Sequence, residues 1–313
     1  CACIVALNYL MLFTYKDIKA PMNEALSFGK VFLVTIKNLF EKRLLTFLLL
    51  MSGFWLMMFQ LWDLHPNFIA DWIDSSQFVK DWHIPASWIQ ETSRGQQMTQ
   101  EHMLNLNAVL IIILMIPIAA AVSKLRTLTC MAMGMVMAIF GVFIAGVTMS
   151  VYMFFLGVFF FSLGEMLTGP KKSEYLSLIS PPEKKALYLG YVNIPVGIGQ
   201  SVGNLMSGYY YGHYGEKAIL ALKYLAEHTN IKSEKAWNGD INSLETYLGV
   251  TRADAMNVLQ KTIQQDAVQA TQLLWDTYHP YTVWYPFIAI GFVATIGLII
   301  YGQMAKKWSD LNA

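Results

Sequence analysis

Charged residues are scarce in this chain of 313 residues. It has 22 lysines and arginines and 21 aspartates and glutamates, so that 14% of its residues are charged, whereas an average soluble domain has about 25%. Hydrophobic residues make up 55% of the sequence. This composition excludes an intrinsically disordered chain and a nucleic-acid-binding protein with a basic face. It predicts a polytopic membrane protein.

Cysteines and the motifs of catalysis are also lacking. The three cysteines, at positions 1, 3 and 130, have no metal-ligand spacing and are too few to build a disulfide-stabilised secreted domain. The sequence contains no glycine-rich phosphate-binding loop that ends in Lys-Ser or Lys-Thr, and no nucleophile-elbow pattern. These absences predict that the protein is not an enzyme and that it uses no metal ion, haem or other cofactor.

Long stretches without charge predict six membrane-spanning helices. A helix of about 20 apolar residues crosses the roughly 30 Å of hydrocarbon in a bilayer, and the uncharged stretch between Arg126 and Glu165 is long enough for two crossings. The predicted fold class is therefore an all-α polytopic membrane protein. The predicted spans cover residues 44–62, 103–123, 127–148, 150–169, 186–211 and 281–305.

The segments outside these spans are assigned from their length and apolar pattern. The apolar run 1–14 is too short to cross a bilayer and is interpreted as the end of a preceding transmembrane helix. Residues 15–43 have the amphipathic pattern of a cytoplasmic linker helix at a membrane surface. The other predicted segments are an outer loop at 63–101 within the transmembrane region 44–212, an outer helical insertion at 213–280 and a cytoplasmic tail at 306–313.

The distribution of basic residues predicts the orientation. Of the 22 lysines and arginines, 14 lie in the segments 15–43, 124–126, 170–185 and 306–313, which are shorter in total than the intervening loops. The positive-inside rule places these four segments on the cytoplasmic side. The C-terminus is therefore predicted to be cytoplasmic, and the predicted location is a bacterial inner (cell) membrane.

Glu165 is the one acidic residue inside a predicted span. It lies in the sequence Phe161-Ser-Leu-Gly-Glu-Met-Leu-Thr-Gly-Pro170. Because charge in hydrocarbon costs at least a few kcal/mol, an intramembrane carboxylate is a candidate functional residue. It predicts a cation or proton site that faces a central cavity, and the alternative is a carboxylate near the cytoplasmic end that pairs with Lys171 or Lys172. The predicted spans contain no basic residue, which disfavours a carrier for sugars or organic anions.

Other polar and small residues lie within the predicted spans. Polar side chains there either line a cavity or form interhelical hydrogen bonds, and these are Gln60, Asn107, Asn193, Gln200 and Asn204. The pairs Gly199-x-x-x-Gly203 and Gly208-x-x-x-Gly212 permit close contact between helices. Pro117 and Pro195 predict bends or breaks in their helices.

Three patterns together carry a resemblance to a known family. They are Phe54-Trp55 followed by Gln60; Leu106-Asn107 followed by an apolar run and Pro117; and Gly164-Glu165 through Ser177-Leu-Ile-Ser-Pro-Pro182, then Gly190 and Gly203-Asn204. With them the chain resembles the C-terminal half, helices seven to twelve, of a major facilitator superfamily transporter. It is most similar to the proton-coupled oligopeptide transporters. The resemblance covers about residues 44–212 and 281–305 and implies a six-helix bundle whose N-terminal partner bundle is not present in this chain.

The resemblance also implies a function and a binding site. It implies proton-coupled symport of small peptides or related solutes by alternating access. Glu165 lies where this family binds the amino terminus of the peptide, and it is also the implied proton-coupling residue. The other implied substrate-binding residues are Asn107, Gln60, Trp55 and Asn193. Two features depart from the family: Phe59 replaces an acidic residue, and the insertion 213–280 is not part of the usual plan.

The expected partners are the lipid bilayer, a small-molecule or peptide substrate, protons and a second six-helix bundle in the same or a separate chain. A protein partner on the outer segment 216–279 is a further expectation, and nucleic acid is not expected. The alternative function is that of a transporter-like subunit, which acts as a scaffold in a larger complex and transports nothing. The insertion and the missing acid at position 59 motivate this alternative.

Overall fold

The computed structural model describes residues 28–229 and 237–307. The predicted helix end at 1–14, the first part of the linker 15–43 and most of the tail 306–313 lie outside the described residues. The chain divides into two units, residues 1–45 and 46–313. In the first unit, helix α1 (Phe28–Leu39) occupies the part of the predicted linker helix that is described.

The second unit is almost entirely helical. Its elements are α2 (Lys42–Met58, which begins just before the boundary), α3 (Gln60–Asp63), α4 (His65–Trp72), α5 (Ser76–Asp81), β1 (Ile89–Thr92), β2 (Gly95–Met98), α6 (Gln100–Ala121), α7 (Thr127–Gly146), α8 (Val151–Ile179), α9 (Lys185–Gly190), α10 (Ile194–Tyr210), α11 (Lys217–His228), α12 (Leu244–Leu248), α13 (Ala255–Ile263), α14 (Ala267–Tyr278) and α15 (Tyr285–Ala305).

Within residues 28–229 and 237–307, five helical segments are long and apolar enough to cross a membrane. They are Lys42–Asp63, Gln100–Ala121, Thr127–Gly146, Val151–Ile179 and Pro280–Ala305. Each coincides with one of the six predicted spans. Their length and composition support an integral membrane protein that crosses the bilayer several times.

The sixth predicted span, 186–211, is not a single helix. It is divided into α9, a 3-10 helix at Tyr191–Asn193 and α10, which is followed by a π-helical turn at Tyr211–Gly215. Pro195 lies in the first turn of α10, where its missing N–H leaves no hydrogen bond unmade. The proline therefore marks the start of α10, and a count of six spans remains a prediction.

Helix α8 is longer than the predicted span 150–169. It continues through Pro170 to Ile179, although residues 170–179 were expected in a cytoplasmic loop. A proline removes only one intrahelical hydrogen bond, and membrane helices tolerate it where neighbouring groups compensate. The expectation that the spans contain no basic residue is consequently wrong, because Lys171 and Lys172 lie inside the candidate span Val151–Ile179.

Glycines bring α7 and α8 into backbone contact. A Cβ atom built on Gly164 of α8 would lie 2.5 Å from the carbonyl oxygen of Gly134 on α7, and one built on Gly141 would lie 2.6 Å from the carbonyl oxygen of Gly157. Such approaches are open only to glycine. Because Gly164 faces α7, the rotation of α8 about its axis is fixed at the residue before Glu165.

Segment 63–101 and the described residues of segment 213–280 are folded and are joined by hydrogen bonds. Segment 63–101 includes α4, α5 and an antiparallel hairpin in which Ile89 pairs with Met98, and segment 213–280 includes α11 to α14. The Trp72 indole N–H donates to the carbonyl oxygen of Gly215 at 2.8 Å, and Asp71 accepts hydrogen bonds from the Tyr211 hydroxyl and the Lys217 backbone N–H. These buried contacts hold the start of α11 against α4.

The glycines of α10 differ in their surroundings, and this generates a stability prediction. A Cβ on Gly199 would lie 2.6 Å from the backbone nitrogen of Leu56, whereas one on Gly208 would meet nothing within 4 Å among the described residues. We expect Gly199→Ala to lower the free energy of unfolding by about 1–3 kcal/mol because the backbone of α2 cannot move aside. Gly208→Ala, on the same helix, is the matched control and should be neutral. Thermal unfolding in detergent measures both, and equal melting temperatures would contradict this packing.

The buried Lys217 makes stability depend on pH. Burial, with the nearby Arg94 charge, lowers the pKa of the Lys217 ammonium to about 7 from its usual 10.5, while Asp71 and Asp74 oppose the shift. Between these two values the unfolded chain binds the additional proton, so the free energy of unfolding should rise with pH by up to about 1.4 kcal/mol per pH unit.

Comparison of Lys217→Met with the wild type between pH 7 and 9 isolates the contribution of Lys217 to the pH dependence of the free energy of unfolding. The variant should lose the rise that Lys217 causes. Lys223→Met is the control, because Lys223 lies on the same helix, is half-exposed and pairs with Glu227 at 3.9 Å. Chemical unfolding followed at several pH values is the measurement. An unchanged pH dependence in Lys217→Met would show that Lys217 is not responsible for the rise.

Candidate substrate-binding site

Asn107, Ser162 and Glu165 form a hydrogen-bonded cluster between α6 and α8. The Asn107 side-chain amide donates to Glu165 Oε2 at 3.0 Å and to Ser162 Oγ at 3.1 Å. The Ser162 hydroxyl donates in turn to the carbonyl oxygen of Val158 at 2.7 Å. Asn107 is buried, with 5% of its surface exposed, and Glu165 is half-buried. The three residues are called the Glu165 cluster below.

The two lysines that follow Glu165 do not pair with it. Lys171 forms an ion pair with Glu174 at 2.7 Å, and Glu174 also accepts a hydrogen bond from Thr127 at 2.6 Å. The ammonium of Lys172 lies 4.5 Å from the centre of the Trp55 ring. The alternative that Glu165 pairs with Lys171 or Lys172 is therefore wrong. Within the described ranges, Glu165 has a neutral hydrogen-bond donor and no ion-pair partner.

One contact between two aromatic rings and one contact between an aromatic ring and an ammonium group border the cluster. The rings of Trp62 on α3 and Phe161 on α8 are 5.8 Å apart, and Trp55 on α2 contacts Lys172 on α8. The earlier of the two tryptophans contacts the later of the two α8 residues. Helices α2 and α3 therefore run antiparallel to α8. Along α8, Glu165 lies between the two contacts.

Phe59 continues the aromatic row on the other side of the site. Its ring lies 5.8 Å from the Trp55 ring and 5.9 Å from the Trp62 ring. Two tryptophans and a phenylalanine therefore follow one another along α2 and α3. Trp55, a predicted site residue, belongs to this row, and the row contacts α8 on both sides of Glu165.

Gln60 and Asn193 are not hydrogen-bonded to the Glu165 cluster. Gln60 is fully buried, and its amide nitrogen donates to the carbonyl oxygen of Leu56 at 2.9 Å. A Cβ on Gly203 of α10 would lie 2.7 Å from that same nitrogen, so Gln60 packs between α3 and α10. Asn193 is exposed in the 3-10 helix before α10. The structure therefore brings together Glu165 and Asn107 and leaves these two residues apart from them.

Three residues near the site are not among the predicted site residues. Ser162 is three residues before Glu165, so helical spacing already places it on the same face. The predicted span 150–169 ends before Pro170 and places Lys172 in a loop. Asp63 follows Phe59 by one helical turn and accepts hydrogen bonds from the Ser207 hydroxyl and, at 3.2 Å, from the Asn204 amide nitrogen when that amide is oriented toward it.

No group of three or more histidine, cysteine, aspartate or glutamate side chains is arranged to hold a metal ion in residues 28–229 and 237–307. The site therefore offers hydrogen bonds, one carboxylate, one ammonium and aromatic surface. These groups suit an organic solute with a cationic end, because a carboxylate attracts an amine and aromatic walls exclude water.

The buried Asn107 amide generates a prediction about the Glu165 cluster. Asn107→Leu removes the donor to both Ser162 and Glu165, and a buried acceptor that loses its partner costs about 1–3 kcal/mol. We expect this loss in the free energy of unfolding. Asn105→Leu on the same helix is the matched control, because Asn105 is exposed, and it should change little. Thermal unfolding of both purified variants is the measurement, and a more harmful Asn105→Leu would contradict the hydrogen-bonded cluster.

Comparison with known proteins finds a family model that matches the part of the chain containing the site. The Major Facilitator Superfamily family model matches residues 82–223, a range that contains Asn107, Glu165 and Lys172. No curated protein matches the chain. Transporters of this superfamily are generally not enzymes. The five apolar helices support a multi-pass integral membrane protein, and residues 82–223 of it are similar to the Major Facilitator Superfamily of transporters.

Proposed function

We propose that the chain is the C-terminal half of a secondary active transporter that couples proton movement to the symport of small peptides or related solutes. The observation that carries the proposal is the Glu165 carboxylate, which lies in an apolar helix beside the neutral Asn107 amide and has no ion-pair partner within the described ranges. A carboxylate in this position is stabilised by an ammonium group or by a proton. The peptide amino terminus and the coupling proton supply these.

In this proposal one carboxylate serves both coupled species. Ionised Glu165 attracts the substrate ammonium, and the Asn107 amide keeps the carboxylate oriented toward it. For symport, a proton from the outer side joins the bound substrate and neutralises Glu165, the substrate and the proton move inward in the same step, and both leave on the cytoplasmic side before the empty site returns. Because Phe59 replaces the acid expected on the facing helix, Glu165 is the proton-coupling residue of this bundle.

The remaining predicted residues have supporting roles. Trp55 provides an apolar surface next to the substrate. Exposed Asn193 offers an amide to the substrate at the start of α10. Gln60, buried beside Gly203, keeps α3 against α10. Alternating access requires a second bundle that rocks against this one, and we propose a second six-helix bundle in the same or a separate chain as that partner.

The same proposal includes a location and an orientation. Residues 63–101 and 213–280 lie outside, the C-terminus is cytoplasmic, and the membrane is a bacterial inner membrane. The basic residues of the predicted cytoplasmic loops support this orientation. Segment 216–279 is the surface on which we expect a protein partner.

The test is uptake of a labelled tripeptide by the natural full-length protein in proteoliposomes with an inward proton gradient. Glu165→Gln should lower uptake about 10- to 100-fold, because a hydrogen bond to a charged group contributes about 1.5–3 kcal/mol. Glu174→Gln is the matched control: it removes a carboxylate from the same helix that pairs with Lys171, and it should retain uptake.

Two results would contradict the proposal in different ways. Proton-driven uptake that is unchanged in Glu165→Gln would remove Glu165 from the mechanism. A wild type without measurable flux that purifies in a stable larger complex would favour the scaffold function.

A further inference from the structure

Lys172 is a buried cation that the proposed peptide site does not use. Only 6% of its surface is exposed, and it lies in the candidate span Val151–Ile179. Its neighbour Lys171 has Glu174 as an ion-pair partner, whereas no carboxylate pairs with Lys172 in the part of the chain that the structure describes. A lysine that only extends to the membrane surface would keep its ammonium in water, and Lys172 does not.

The contact with Trp55 brings a second hydrogen-bond donor, the indole N–H, to the same side chain that the Lys172 ammonium contacts. The Lys172 ammonium lies 4.5 Å from the centre of the Trp55 ring, which compensates the charge only in part. The Trp55 indole nitrogen is buried and has no hydrogen-bond partner among residues 28–229 and 237–307. Two buried donors, one of them charged, are complementary to an anionic acceptor such as a carboxylate.

Lys172 has a defined position relative to Glu165. The two residues are seven positions apart on α8, which is about two helical turns, so they share one face and are separated by roughly 10 Å along the axis. Side chains of a helix lean toward its N-terminus, and the Lys172 ammonium therefore extends toward Glu165. One face of α8 therefore presents the Glu165 carboxylate and, two turns later, the Lys172 ammonium.

We propose that Lys172 and the Trp55 indole N–H bind the carboxylate end of the substrate. One face of α8 then holds both ends of a zwitterion, with the ammonium on Glu165 and the carboxylate on Lys172. This inference rests on the proposed peptide symport. An extended chain spans about 3.3–3.6 Å per residue, so roughly three residues match the separation. The flexible stem of Lys172 lets its ammonium leave the Trp55 ring to meet the carboxylate.

The experiment compares trialanine with trialanine amide, which keeps the ammonium and loses the carboxylate. Uptake of both is measured at pH 6.5 with the natural full-length protein in proteoliposomes. The wild type should have a KM for the amide at least tenfold higher than for the acid. Lys172→Gln should raise the KM for the acid to that of the amide, because only the acid interacts with the ammonium.

Three further variants separate this role from a structural one. Lys171→Gln, at the neighbouring position, should keep the preference for the acid. Lys172→Arg should restore it, because the charge is kept, and Trp55→Phe should reduce it while an aromatic ring remains. Glu165→Gln should weaken uptake of the acid and the amide by the same factor.

The outcomes distinguish this inference from the proposed function. Equal KM values for acid and amide in the wild type, or a preference that survives in Lys172→Gln, would overturn the carboxylate site and leave peptide symport intact. Absence of uptake of either peptide by the wild type would overturn the proposed function, and the carboxylate site with it. If Lys172→Gln does not fold, a preference that Trp55→Phe leaves unchanged also overturns the proposed pair.

Discussion

The backbone contact between α7 and α8 determines where the charged groups of α8 point. Gly134 and Gly164 meet so closely that no side chain fits between the two helices. Because successive residues of a helix are about 100° apart, a Gly164 that faces α7 turns Glu165 away from it, toward Asn107 of α6. The same rotation places Phe161 and Lys172 against the tryptophans of α2 and α3. A glycine contact thus determines the surroundings of both charged residues.

Electrostatics gives these surroundings their functional meaning. Carboxylates and ammonium groups are costly in an apolar region unless an opposite charge or several hydrogen bonds compensate them. Glu174 and Lys171 compensate each other, and this pair needs no ligand. Glu165 has a neutral amide donor and Lys172 has an aromatic ring. Each is only partly compensated, and a zwitterionic solute would complete both.

The segments outside the apolar helices are held together by polar contacts of their own. Residues 63–101 and 213–280 are joined through Asp71, Trp72 and the start of α11. Buried polar contacts of this kind are strong only when every member is satisfied. Lys217 is the costly member of this group, since burial lowers its pKa to about 7. The link between these two segments should therefore respond to pH more than the glycine contacts between α7 and α8.

The sequence by itself determined the features that depend on composition and local spacing. Charge-free stretches predict the five apolar helices found among the described residues, and the isolated acid in one of them points to Glu165. The first glycine pair of α10 was also predictable, since Gly199 and Gly203 both approach the helices before them.

Only the tertiary structure decided which polar residues meet. It extended α8 past Pro170, because one lost hydrogen bond does not end a helix that neighbouring helices support, and this brought Lys172 to Trp55. It paired Asn107 with Glu165 and buried Gln60 against α10, although the sequence placed all of these residues equally within spans. The physical reason is that such pairings depend on the rotation of each helix, which contacts between distant glycines set and local sequence spacing does not reveal.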